Sequence, residues 1–120
     1  MDFQTAVRTV LQHNYANFTG RAQRSQYWWF ALFSFVGSII LNVIDAALFG
    51  ANATILSLLW SLALLIPSIA VGVRRLHDLD KSGWWLLLAL IPLIGALVLI
   101  YWFVQRGTEG DNQYGADPLA

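Results

Sequence analysis

Long apolar runs separated by short polar stretches make up this chain, and the spacing of polar positions points to helices throughout. Residues 2–14 place Phe3, Ala6, Val7, Val10 and Leu11, with Tyr15 just beyond, on one face. Gln4, Thr5, Arg8, Thr9 and Gln12 take the other. That is an amphipathic helix, with Asp2 as N-cap, suited to lie in a membrane interface or pack under a membrane domain. We assign residues 1–16 to it. Asn17-Phe18-Thr19-Gly20-Arg21 then breaks the period with turn-forming residues. Three apolar segments follow, residues 27–49, 53–73 and 84–104, each close to the roughly 20 residues that a hydrocarbon core requires.

The connections fix the arrangement further. Gly50-Ala51-Asn52 is a short turn, so the first two segments are expected to be antiparallel neighbours. Between the second and third lies the stretch from Val73 to Trp85, which holds three of the seven basic residues. Residues 105–120 form a polar tail rich in Gly, Asn and Asp, ending in the turn Gly115-Ala116-Asp117-Pro118. The predicted fold is all-α: a multi-spanning membrane helical bundle, one domain over residues 1–120, with three transmembrane helices. Pro92 and Gly95 interrupt the third segment, where a re-entrant hairpin would return the tail to its starting side. About 21 residues is short for two passes, so a kinked single span is expected.

Composition strengthens the membrane assignment. The chain is 58% hydrophobic and 12% charged, with six Trp and a mean hydropathy of +0.57. Soluble domains carry about twice that fraction of charge. Zero formal net charge gives no reason to expect nucleic acid as a partner. The absence of Cys excludes disulfides, thiolate metal sites and Cys nucleophiles. Arg8, Arg21 and Arg24 precede the first span, and Arg74, Arg75 and Lys81 lie between the second and third. With three spans both groups face the cytoplasm by the positive-inside rule, and the acidic tail is expected in the periplasm. No cleavable leader is expected, so the first span would act as an uncleaved insertion signal.

Several residues could carry chemistry. Pro67 and Pro92 each free a carbonyl four residues earlier, Ala63 and Leu88, at a similar depth of roughly 10–12 Å above the intervening loop. Paired breaks point to transport sites in larger carriers, but helices splayed for packing are the preferred explanation. Ser34, Ser38, Asn42 and Asp45 form a stripe facing Ser57 and Ser61, where polar side chains act as interhelical glue. Asp45 is also a proton-relay candidate, though the structural role is favoured. In the central stretch, continued helix would pair Arg74 with Asp78 and Asp78 with Lys81. Ser82 suits an N-cap and Gly83 a sharp turn. Arg21, Arg24, Arg74, Arg75 and Lys81 could bind anionic lipid headgroups. The His77-Asp78 pair suggests metal or acid–base chemistry, but His13 is distant and no nucleophile is evident. No catalytic residue, cofactor or metal site is predicted. The carboxylates of the tail are spaced like those of a calcium loop that ends too early, and a folded turn is preferred.

Three ordered motifs carry a resemblance. Phe18-Thr19-Gly20-Arg21 with Arg24 and Tyr27-Trp28 opens it; Arg74-Arg75-Leu76-His77-Asp78, Ser82-Gly83-Trp84-Trp85 and Ile91-Pro92 follow. Gly107, Gly110, Asn112, Tyr114-Gly115 and Asp117-Pro118 close it. From Phe18 onward the chain resembles the domain of unknown function 805 family of small bacterial inner-membrane proteins. Gln23 stands where that family usually has Ser, which weakens an N-cap there. The resemblance implies an inner-membrane location with a few spans and no assigned activity. The leading expectation is a non-enzymatic membrane component, possessing a cytoplasmic-face cluster that contacts anionic lipid or a protein partner. Its candidate residues are Gly20, Arg21, Arg24, Tyr27, Trp28, Arg74, Arg75, His77, Asp78, Ser82, Gly83 and Trp84. The runner-up is a small transporter or channel subunit using the proline breaks, Asn42 and Asp45. So small a bundle also suggests self-association or a larger membrane partner.

Overall fold

The structure, a computed structural model, describes residues 2–119, which fold as helices and turns with no extended strand among them. Helix α1 (Phe3–Arg8) begins where the Asp2 carboxylate accepts the Thr5 amide at 2.8 Å, the cap anticipated from sequence. It does not continue as α-helix to residue 14, because Thr9–His13 widens into a π-turn. Ala6 and Val10 are fully buried, while Gln4, Thr5, Arg8 and Gln12 are exposed. Val10 joins Ala22, Phe30, Leu64 and Val71 in one core, and the Phe3 ring meets Trp29 at 5.7 Å. The N-terminal segment thus packs against the helices that follow it.

Helices α2 (Arg24–Phe49) and α3 (Ile55–Asp78) are both long and apolar enough to cross a membrane. They form an antiparallel hairpin through Gly50, whose φ of +107° favours glycine. Gly37 brings them together: a Cβ there would lie 2.2 Å from the Trp60 ring, whose indole N–H donates to the Ser34 carbonyl at 3.1 Å. Near Gly50, Asp45 of α2 caps α3. Its carboxylate accepts the amides of Leu56 and Ser57 at 2.9 and 3.0 Å and the Ser57 hydroxyl at 2.7 Å. That hydroxyl also lies 2.7 Å from Asn42 Oδ1. Two of the orphan donors of the helix start are satisfied this way, and Thr54 at the cap position contributes no side-chain bond. The carbonyl of Ala63, freed by Pro67, accepts the Tyr15 hydroxyl at 2.5 Å.

The third apolar segment differs from expectation. Gly83–Leu90 is a 3-10 helix of 8 residues, and α4 (Ile94–Val104) has 11. At about 2.0 and 1.5 Å per residue, each rises roughly 16 Å, half of a ~30 Å hydrocarbon core. The Trp85 and Trp102 rings lie 5.8 Å apart, so the segment returns to the level at which it began. The expected continuous helix over 84–104 is therefore two short helices folded back on each other, which leaves two helices of spanning length among the described residues.

The cause lies at the tip. Leu93 adopts φ +64° and the Ile94 amide donates to the Pro92 carbonyl at 2.7 Å, a γ-turn too tight for helix. Pro92 has no N–H to leave unpaired there. The Leu88 carbonyl that it frees accepts the Ile91 amide at 3.0 Å. Gly95 allows the two arms to touch, since a Cβ on it would sit 1.6 Å from the Leu88 oxygen. Gly95→Ala is expected to cost about 1–3 kcal/mol through overpacking. Unfolding in detergent should show that loss, and exposed Ala96→Gly should cost less.

Candidate functional site

Helix α3 continues past residue 73 and carries Arg74–Asp78 as a last, buried turn. Asp78 is its centre. One carboxylate oxygen accepts from Arg21 Nε at 3.0 Å and the other from an Arg75 guanidinium nitrogen at 2.7 Å. These side chains are at most 3% exposed. The pairs expected within the stretch itself, Arg74 with Asp78 and Asp78 with Lys81, do not form. Both Asp78 oxygens are already taken, and Arg74 projects toward α2, where it donates to the Gln26 side chain. Its carbonyl accepts the Ala22 amide at 3.0 Å. Lys81 lies 4.7 Å from the centre of the Trp102 ring.

The remaining donors of the two arginines bind backbone. Arg21 donates to the carbonyls of Gly110 at 2.7 Å, Gly115 at 3.3 Å and Thr108 at 2.5 Å. Arg75 donates twice to the Phe103 carbonyl, at 3.2 and 3.1 Å, and also to that of Gln105. Trp28 adds an indole bond to Phe103 at 3.0 Å, and Arg24 one to Val104 at 3.1 Å. The last carbonyls of α4, orphaned by the helix end, thus meet two cations and an indole where the dipole is negative. Tyr27 packs its ring on Phe103 at 4.6 Å. Gly107 passes so close to Asp78 that a Cβ would lie 2.0 Å from Oδ2, and the Thr108 amide donates to the Asp78 carbonyl at 2.7 Å.

His77 completes the arrangement. Its Nδ1 donates to the Gly20 carbonyl at 2.9 Å, and its ring stacks on Tyr114 at 4.0 Å and 2°. The His77 carbonyl accepts Asn112 Nδ2 at 2.9 Å. Asn112 and Gly115 exchange backbone bonds of 3.0 and 3.1 Å, and Asp117 accepts the amides of Gly110 and Leu119, each at 2.9 Å. The tail is therefore a folded turn pinned to the Arg74–Asp78 end of the bundle. The cause is the returning third segment, which delivers residue 105 beside Arg75. An unbroken helix over 84–104 would instead have carried it to the opposite end of the bundle.

Of the candidate residues, Gly20, Arg21, Arg24, Tyr27, Trp28, Arg75, His77 and Asp78 come together here. Arg74 sits behind them. Ser82 accepts the Trp84 amide at 3.3 Å, and Gly83 packs on Val73, where a Cβ would be 2.7 Å from Cγ1. Trp84 is 79% exposed and stands apart. Asn42 and Asp45 are at the opposite end of the hairpin. Gln26 was not anticipated, nor were the carbonyls of Phe103, Gln105 and Thr108, because backbone oxygens leave no mark on a sequence; Gly107 appeared only in the closing motif, with no role assigned. Arginine offers donors and no acceptor, and both Asp78 oxygens are occupied, so the cluster joins three chain segments. No group of three or more His, Cys, Asp or Glu residues placed to hold a metal occurs among the described residues.

The sequence profile of the family described as Protein of unknown function (DUF805) matches residues 15–116. The chain belongs to that family. It is 48% identical over 105 residues to Inner membrane protein YhaI of Escherichia coli (strain K12), covering 88% of each chain. Inner membrane protein YhaH of the same strain is 43% identical over 108 residues, covering 88% of this chain and 89% of that one. Uncharacterized protein YiiR is 30% identical over 135 residues, with 84% and 85% covered. No solved structure matches the chain. The match includes the whole Arg21–Asp78–Arg75 clasp and the tail carbonyls that the two arginines hold.

Two expectations follow for this clasp. Asp78→Asn strands two buried guanidinium groups and should cost about 3–5 kcal/mol. Arg106→Gln, which removes a 3.8 Å ion pair of exposed side chains, should cost under about 1 kcal/mol. Unfolding in detergent and hydrogen exchange of the tail would separate them. Bonds from the Leu119 and Gly110 amides hold the Asp117 carboxyl below its ordinary range. Its contribution is then full above the unfolded value and lost as pH falls through the lower folded one. Exchange at Gly110 and Leu119 should accelerate on acidification, and Asp117→Asn should flatten that dependence.

Proposed function

We propose that the protein is a non-enzymatic component of the bacterial inner membrane, a two-span hairpin with its N-terminal segment and tail both cytoplasmic. The cytoplasmic face contacts anionic lipid headgroups. One observation carries this reading: the Arg21–Asp78–Arg75 clasp ties the tail to the end of the bundle where Arg21, Arg24, Arg74, Arg75, Lys81 and Arg106 gather. Such a concentration of cations on one side is what the positive-inside rule assigns to the cytoplasm. The names of two relatives, both inner membrane proteins, support the compartment.

Headgroup contact falls to one member of the basic set suggested by the sequence, Lys81, with Trp84 and Trp85 beside it. Arg21, Arg74 and Arg75 are buried and bonded within the chain. Lys81 has no carboxylate partner within 4.0 Å among the described residues, and beside it Trp84 and Trp85 are 79% and 50% exposed. A basic residue near an anionic surface contributes about 1 kcal/mol, and Trp favours the headgroup level. The transport alternative loses its groups to packing, since Asp45 caps α3 and Tyr15 occupies the Ala63 carbonyl.

A topology reporter decides the arrangement. Fused after Ala120, a reporter active only in the cytoplasm should be active, and one inserted between Ala51 and Asn52 should be silent. A silent C-terminal fusion would overturn the two-span reading.

A further inference from the structure

A groove of about 780 Å³ runs between α3 and the Gly83–Leu90 arm of the folded-back third segment, with Phe18 at its side. Its α3 wall is a single helical row, Leu65, Ile69, Val73 and His77, spaced four residues apart. Twelve residues of α-helix rise roughly 18 Å, close to half of a ~30 Å hydrocarbon core. The opposite wall adds Leu86, Leu87 and Leu90. Polarity changes along this length. The walls are apolar until the end nearest the clasp, where His77, Tyr114 and Ser82 line the mouth. His77 Nδ1 is held by Gly20, and the stacked Tyr114 ring shares the same lining. Lys81 precedes Ser82 in the chain.

We infer that this groove holds one acyl chain of a phospholipid from the adjoining leaflet, with the phosphate at the Tyr114–Ser82 mouth beside Lys81. The occupant is identified by three features: a slot one leaflet long, an apolar bore, and a polar interfacial end formed by His77, Ser82 and Tyr114, with the Lys81 ammonium nearby over the Trp102 ring. A second protein chain crossing the membrane is the competing occupant, since exposed Leu62, Leu58 and Ile55 continue the α3 face past Leu65, and the dimer outcome of the test below separates the two. The inference rests on the proposed headgroup contact only in its polar end; the acyl slot stands or falls separately.

The test uses the full chain purified in mild detergent, titrated with dioleoyl phosphatidylglycerol and read by native mass spectrometry. Ala89 is exposed and lines the groove, so Ala89→Trp should fill it and lower retention of the lipid by about tenfold or more. Ala96→Trp, on exposed α4 surface outside the lining, should leave retention unchanged, and matching unfolding midpoints would verify that both variants fold. Lys81→Gln should weaken phosphatidylglycerol more than phosphatidylethanolamine, and inorganic phosphate alone should not be retained. Unchanged retention in Ala89→Trp would overturn the acyl slot, as would a dimer that this variant dissolves. An unchanged Lys81→Gln with a defective Ala89→Trp would overturn only the headgroup contact.

Discussion

A carboxylate held between two buried guanidiniums decides how this small chain closes. Asp78 joins Arg21 from the N-terminal loop to Arg75 of its own helix, and those arginines in turn grip the tail. Removing such groups from water costs several kcal/mol per ion, so the arrangement is not an efficient source of stability. Its value is directional. An apolar cluster would accept the tail in many poses, whereas Arg21 requires carbonyls at particular places, and Asp78 leaves room for nothing larger than glycine at 107.

The same logic recurs through the bundle on carbonyl oxygens that a helix cannot satisfy itself. Pro67 frees Ala63, and Tyr15 answers it; α4 ends at Phe103 and Val104, where Arg75, Trp28 and Arg24 answer. Asp45 does the converse for the amides at the start of α3. In a setting without water each unmet group costs several kcal/mol, so long aromatic and cationic side chains serve as caps supplied from neighbouring segments. These bonds explain why residues that look functional in isolation are occupied by the fold. They also leave Trp84 exposed and Lys81 half-buried and without a carboxylate partner among the described residues, with the groove beside them.

Membership of the DUF805 family agrees with this architecture, since the matched residues extend from the loop preceding Arg21 to the tail turn that it binds. The folded-back third segment is the part that gives the family match its geometry here. It returns the chain to the Arg74–Asp78 end of the bundle over 11 residues of helix, brings Trp102 to Trp85, and makes the second wall of the groove.

Much of this was legible in the residues. The two long apolar runs, the Asp2 cap, the Gly50 turn and the meeting of Asn42 and Asp45 with Ser57 all follow from local periodicity and short connections, which act over a few residues. Pro92 and Gly95 marked the place where the third segment fails as a helix. Whether it kinks or reverses depended on contacts a sequence does not display: a 3-10 arm that stretches eight residues to half the membrane, and a glycine face against the Leu88 carbonyl. Likewise the stretch from Arg74 to Asp78 announced its charges but not their partners. Composition determined that this chain lives among lipid-facing helices; tertiary structure alone decided that the tail comes home to Asp78. An ion pair between residues 57 positions apart is set by where the backbone returns, and local pattern carries no record of that.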